Sequence, residues 1–250
     1  MAMIREHQRL DAALVARGLF ETRSRARDAI LRGTVRVNGV LATKPGQPAG
    51  IGAKIVVDDP AAAYVSRAAL KLVAGLDAFA FSPFGKICLD IGASTGGFTQ
   101  VLLERGSAHV TAIDVGHGQM AAALRDDPRV TAIEGLNARD LSAADLGGTA
   151  PQIIVCDVSF ISVRLALPPA LALAAPGAQA VFLVKPQFEV GRAGIGKNGL
   201  VDPALAAECA QGLLHWLDTQ PGWRALGLAP SPIMGGDGNA EYLLGGEKTA

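Results

Sequence analysis

Ile87-Cys88-Leu89-Asp90-Ile91-Gly92-Ala93-Ser94-Thr95-Gly96-Gly97-Phe98-Thr99 decides the fold of this chain. A short, mostly apolar run of strand character leads straight into a turn containing three glycines. Gly92, Gly96 and Gly97 allow a tight turn and let a ligand lie against main-chain atoms before the next helix starts. The pattern is not the GxGxxG of a dinucleotide fold, and it lacks the Lys-Ser/Thr of a phosphate loop. Twenty-two residues after Gly92, Asp114 ends the next apolar run, where a carboxylate can accept both hydroxyls of a ribose. A DxGxxxGG turn with an acid at that spacing points to S-adenosylmethionine rather than NAD. The candidate cofactor residues are Asp90, Gly92, Ala93, Ser94, Gly96, Gly97, Phe98, Asp114 and Asp157.

Around this stretch, apolar runs alternate with helical patterns: ICLDI, VTAID, VTAIE, QIIVCD and QAVFLVK. Continuous apolar strands separated by helices predict an α/β domain whose parallel sheet is covered on both faces. Ligands of such sheets sit at the carboxyl ends of the strands, where the strand order switches. Asp157 ends the fourth run, Lys185 ends the fifth, and Glu241 opens a final strand, GNAEYLL. Lys71 comes from a charged helix start around Ser66, one turn after Arg67.

The opposite end of the chain has a different character. Residues 1–71 hold 12 Lys/Arg against 6 Asp/Glu, and the remaining residues hold 11 against 17, so a neutral protein is split into +6 and −6. A basic terminal module is a candidate polyanion binder. Leu10, Leu14 and Val15 form one helix face ending near Gly18; Thr22 caps a second helix that runs to about Arg32. Asn38-Gly39 between TVRV and VLAT predicts a hairpin with a type I′ turn. The second helix keeps small residues inward and guanidinium groups outward, a surface able to pair with successive phosphates. The expected RNA-binding residues are Arg9, Arg23, Arg25, Arg27, Arg32 and Arg36, with Arg67, Arg192 and Lys197 from farther along. Expected boundaries are 1–58 for the basic module, 59–71 for a linker and first helical turn, and 72–250 for the α/β domain.

Composition excludes other classes. Mean hydropathy is +0.30, yet the most apolar stretch, Leu165 to Val184, is broken by Pro168, Pro169, Pro176, Gly177 and Gln179. A spanning helix needs roughly 20 unbroken apolar residues, so none is expected. The N-terminus has no signal-peptide core, which predicts a cytoplasmic protein. Three cysteines without CxxC or His/Cys spacing predict no metal site and buried, reduced thiols.

Taken together, several motifs make a resemblance. Helix, helix and hairpin, with RLD near the start and the run from Ser24 to Gly39, resemble the RNA-binding module named after ribosomal protein S-four. DIGASTGGFT, IDVGHGQM, CDVSFIS, VKPQFEVGR and GNAEYLL, behind an SRxxLKL helix, resemble the TlyA family, also called haemolysin A, across essentially all 250 residues. The catalytic half of that family is similar to the FtsJ-like RNA 2′-O-methyltransferases. The resemblance implies a Rossmann-like class I methyltransferase domain with a mostly parallel seven-stranded sheet. It implies a catalytic tetrad at Lys71, Asp157, Lys185 and Glu241, and ribosomal RNA or ribosomal subunits as partner, with cytidine 2′-hydroxyls as targets. Ala68-Ala69 replaces the glycine pair of the family's SRGGLKL, and His117 stands where Tyr is usual.

On this reading a ribose 2′-hydroxyl attacks a sulfonium methyl. Lys185 either takes the hydroxyl proton or orients the hydroxyl, Asp157 holds Lys185, and Glu241 orients Lys71 or the ribose. Gln187 to Asp202, rich in glycine and carrying Arg192 and Lys197, reads either as a basic flap or as a plain surface loop. Phe160 is expected to pack against the sheet rather than to stack on a base. The alternatives are a noncatalytic RNA-binding or ribosome-assembly factor, a small-molecule methyltransferase and a membrane-active haemolysin. A pseudouridine synthase would share the basic module but would not need the cofactor turn. The basic module generates one expectation directly: RNA affinity falls steeply with salt, because each neutralised phosphate releases counterions. Filter binding from low to high salt checks this, and salt-indifferent binding would contradict it.

Overall fold

The computed structural model describes residues 7–249, so the first six residues of the expected basic module lie outside it. The chain divides into two compact units between Ala63 and Tyr64.

In the first unit, β1 (His7–Arg9) leads into α1 (Leu10–Ala16) and α2 (Arg23–Leu31), followed by β2 (Val35–Val37), β3 (Val40–Leu41), β4 (Pro48–Gly50) and β5 (Ile55–Val57). Thr22 caps α2, its Oγ1 accepting from Arg25 N at 3.2 Å. The hairpin turn has Asn38 at φ +51° and Gly39 at φ +83°, the two positive values that a type I′ turn requires. Strands β3, β2 and β5 form one antiparallel sheet. The sequence left one pairing hidden: β1 pairs with β4, inside the stretch read as a loop, because two three-residue strands carry no periodicity. Leu10, Leu14, Ala26, Ala29, Ile30 and Val35 fill the core. Asp59, expected in the linker, is anchored to this unit by Arg32 at 2.7 Å.

The second unit begins with α3 (Ala69–Ala78), β6 (Ile87–Ile91), α4 (Gly97–Glu104), β7 (His109–Asp114), α5 (Ala122–Arg125) and β8 (Val130–Glu134). It continues with β9 (Ile153–Cys156), α6 (Val163–Ala166), α7 (Pro168–Leu173), β10 (Gln179–Val184), α8 (Pro203–Asp218), β11 (Trp223–Pro230) and β12 (Tyr242–Lys248). Seven strands lie in the order β11-β12-β10-β9-β6-β7-β8. Only β12 is reversed, pairing antiparallel with both β10 and β11. The strand order therefore switches between β6 and β9, which places the ligand-binding crevice beyond their carboxyl ends.

Strand β10 shows how the sheet is covered. Ala180, Phe182 and Val184 face the core built with α6, α7 and α8, where Phe182 packs on Trp223 with ring centroids 6.4 Å apart. Val181 and Leu183 face the other core, built with α3, α4 and α5. Both faces being apolar explains why the sequence shows continuous runs rather than alternation. Cys88 and Cys156 are buried strand residues, as expected. The helix expected from Ser66 begins at Ala69 instead, since Ser66, Arg67 and Ala68 accept i to i+3 bonds that wind the entry too tightly for an α-turn.

Candidate active site

The glycine turn after β6 is shaped by close backbone approach. Gly92 has φ +80°, and a Cβ there would lie 2.9 Å from the Asp157 carbonyl oxygen. Any side chain would push β6 and β9 apart at their carboxyl ends. Gly96, at φ +96°, precedes α4 and faces Leu124, 2.5 Å from where its Cβ would stand. Ser94 accepts φ +47° and donates its N–H to Asp114 Oδ2 at 2.8 Å, while Gly116 N donates to Asp114 Oδ1 at 2.7 Å. Asp114 is thus aimed by two main-chain donors. Ala93 and Phe98 are buried beneath the turn, and Gly97 packs against Ser66.

A cleft of about 670 Å³ opens along this turn, lined by Gly92, Ser94, Asp114 and Asp157 on one side. Its other walls are Leu136, Asn137, Ala138 and Arg139, after β8, and Ile161 and Leu165, after β9. The sequence reading did not assign these residues; their place just beyond the ends of apolar runs was the signal that could have found them. A smaller hollow of about 160 Å³ holds Ser66, Thr95, Ser159 and Lys185. Gly92, Ser94, Asp157 and Ser159 line both.

The four charges, Lys71 from α3 and Asp157, Lys185 and Glu241 from strand ends, form two ion pairs. Lys71 Nζ lies 2.5 Å from Glu241 Oε2, with both side chains buried. Lys185 Nζ lies 2.6 Å from Asp157 Oδ1 and donates to Ser159 Oγ at 2.8 Å. The Asp157 contact is close but lies off the hydrogen-bonding direction, and Oδ1 has no hydrogen-bond partner among the described residues. Phe160 does not pack against the sheet as expected. It is 90% exposed at φ +65°, resting its ring on Phe188 with centroids 5.0 Å apart. The tight turn after Asp157 turns it outward.

The basic candidates are placed unequally. Arg9 and Arg23 both reach Asp11 Oδ2, at 3.0 and 2.9 Å, while staying largely exposed. The Arg9 hydrogen bond, helped by Arg23 and opposed by burial, holds the Asp11 carboxyl down at about 2. Arg25 lies beside Glu21, and Arg27 and Arg36 are exposed. Arg32 is not presented to solvent: its side chain is 13% exposed against a 1% exposed Asp59. Burial of that pair diverts it from phosphate binding to holding the unit together. Arg67 is half-buried at the entry to α3, while Arg192 and Lys197 are exposed. Their loop is pinned at its far end by buried Asn239, whose Nδ2 donates to Gly199 O and whose Oδ1 accepts from Val201 N, both at 2.9 Å. Among the described residues no three His, Cys, Asp or Glu side chains gather as a metal site, and no helix is long and apolar enough to cross a membrane.

Asp90 lies under the turn, fully buried, accepting from Thr99 Oγ1 at 2.7 Å while its Oδ1 has no partner among the described residues. Burial, reinforced by Asp157 and Asp114 and opposed by Thr99, pushes its carboxyl up to about 7. The fold therefore keeps a proton that the unfolded chain releases near 3.8, so stability falls as pH rises between those values. Replacing Asp90→Asn is expected to flatten this fall in urea melts from pH 4 to pH 7. Parallel curves for the two proteins would contradict the assignment.

Residues 64–248 match the family of FtsJ-like methyltransferases, and residues 8–55 match the S4 domain. The chain is 47% identical over 238 residues to the 16S/23S rRNA (cytidine-2′-O)-methyltransferase TlyA of Mycobacterium tuberculosis, covering 94% of this chain and 88% of the relative. It is 40% identical over 236 residues to Hemolysin A of Brachyspira hyodysenteriae, covering 94% and 98%. A solved hemolysin candidate from Streptococcus thermophilus superposes with a TM-score of 0.75 at 40% identity, covering 98% of this chain and 89% of that one. Two domain matches in this order, and relatives alike over nearly the full length, settle the affiliation: the chain belongs to the TlyA family of FtsJ-like methyltransferases with an N-terminal S4 domain.

Proposed function

We propose that this methyltransferase modifies ribose 2′-hydroxyls of ribosomal RNA in the cytoplasm, at cytidines of small or large subunit RNA, with S-adenosylmethionine as donor. The cofactor fit rests on the cleft itself. Its volume of about 670 Å³ falls among ordinary ligand sites. Gly92 and Ser94 line the cleft, Asp114 is held by two main-chain donors where it can accept ribose hydroxyls, and Leu136, Ala138, Ile161 and Leu165 offer apolar walls to a purine. S-adenosylmethionine supplies an electrophilic methyl group on a sulfonium centre.

The observation that carries the reading is the Lys185–Asp157 pair, in which Asp157 lines both hollows and Lys185 the smaller one. A 2′-hydroxyl entering the smaller hollow meets Lys185 Nζ, which orients its oxygen. The Asp157 carboxylate of the pair would take up the hydroxyl proton as the C–O bond to the methyl forms and the donor's C–S bond breaks, its electrons staying on a neutral sulfur. Alignment of this kind can remove about 7–11 kcal/mol of barrier at best. The buried Lys71–Glu241 pair holds the start of α3 to the start of β12 beside this region. Phe160 offers an exposed ring face on which the target base can stack. The S4 unit supplies Arg9, Arg23, Arg25, Arg27 and Arg36 for phosphates, and the second unit adds Arg67, Arg192 and Lys197.

The test is methyl transfer from labelled S-adenosylmethionine to ribosomal subunits and to free ribosomal RNA, comparing wild type with Lys185→Ala. Wild type is expected to leave label at positions resistant to alkaline cleavage. The variant is expected to lose roughly 100-fold or more in rate while still binding the cofactor. Cofactor binding by wild type without label on any ribosomal RNA would overturn the proposal in favour of a noncatalytic role.

A further inference from the structure

Asp157 supplies Lys185 with charge, but the structure draws its direction from another residue. A lysine ammonium is a point charge on a flexible stem with three rotatable donors. An ion pair lying off the hydrogen-bonding direction, as the one to Asp157 Oδ1 does, leaves those donors free to swing. Ser159 Oγ removes that freedom, accepting a directed hydrogen bond from Lys185 Nζ at 2.8 Å.

The place of Ser159 fits the task. It follows Asp157 by two residues and precedes Phe160, whose backbone at φ +65° turns the chain sharply. It lines both the large cleft and the smaller hollow, so it stands where a donor methyl and an incoming hydroxyl must meet.

We propose that Ser159 is a positioning residue for methyl transfer: it fixes one N–H of Lys185, Asp157 neutralises the ammonium, and a remaining N–H is aimed at the RNA 2′-oxygen. This rests on the role assigned above to Lys185. Ser159 is exposed, so its substitution leaves the core intact.

The experiment compares wild type, Ser159→Ala, Ser159→Thr, Lys185→Ala and the Ser159→Ala/Lys185→Ala double variant. Each is assayed for methyl transfer at saturating S-adenosylmethionine and for cofactor affinity. Ser159→Ala is expected to lower kcat by roughly 10-fold or more, with the RNA KM and cofactor Kd little changed. Ser159→Thr restores most of the rate, because its hydroxyl can accept the same hydrogen bond. The double variant is expected to be no slower than Lys185→Ala alone, since Ser159 acts through Lys185. Unchanged kcat in Ser159→Ala, with Lys185→Ala inactive, would overturn the inference and leave the reaction assignment standing. Equal losses in the Ala and Thr variants, or a loss confined to KM, would also overturn it. Full activity in Lys185→Ala would bring down the reaction assignment and this inference together.

Discussion

The second unit depends on one close approach, that of Gly92 to the main chain of Asp157. The carbonyl oxygen of Asp157 lies 2.9 Å from where a Cβ on Gly92 would stand, too close for a side chain. That contact lets β6 and β9 stay paired to their carboxyl ends, Ile91 opposite Cys156. It also sets the glycine turn and the Asp157 carboxylate side by side. A sheet whose strand order switches between these strands opens a crevice there in any case. The missing Cβ brings the crevice and the charged pair into one site.

Charge in the molecule is arranged by pairing rather than by isolated groups. Lys71 and Glu241 are buried together, and removal of either partner would leave the other uncompensated, a loss of about 3–5 kcal/mol for such pairs. Lys185 and Asp157 are paired in the lining of the smaller hollow. The S4 unit uses the same device to another end: buried Asp11 gathers Arg9 and Arg23 while leaving most of each guanidinium in solvent. Two cations converging on one anion retain a net positive charge and a fixed spacing, which suits a phosphate ligand. Asn239 acts on the main chain instead, tying the basic loop at Gly199 and Val201 to the segment that carries Glu241.

Most of the architecture was legible because it follows from patterns that survive without a partner. Continuous apolar runs announced a sheet covered on both faces, Asn38-Gly39 announced its hairpin, and Thr22 announced the start of α2. The turn from Asp90 to Phe98 could be read because its glycines are needed one by one. Long-range economy was hidden. Nothing local marks Arg32 as the partner of Asp59 twenty-seven residues away, so it read as one more phosphate-facing arginine. Phe160 read as core because aromatic rings are usually buried, whereas its outward face is set by a backbone angle that sequence does not display. The far walls of the cleft, Leu136 to Arg139 and Ile161 to Leu165, were missed because they are unremarkable residues given meaning only by the strand ends that precede them.

The measurement that bears most directly on the central claim is made on Gly92→Ala, with cofactor affinity and the rate of methyl transfer at saturating cofactor determined on the same protein. If one backbone contact sets both the cofactor turn and the Lys185–Asp157 pair, the added methyl weakens cofactor binding and also lowers the rate once the site is full. A variant that binds the cofactor poorly but transfers methyl at the wild-type rate when saturated would contradict that account and separate the two halves of the site.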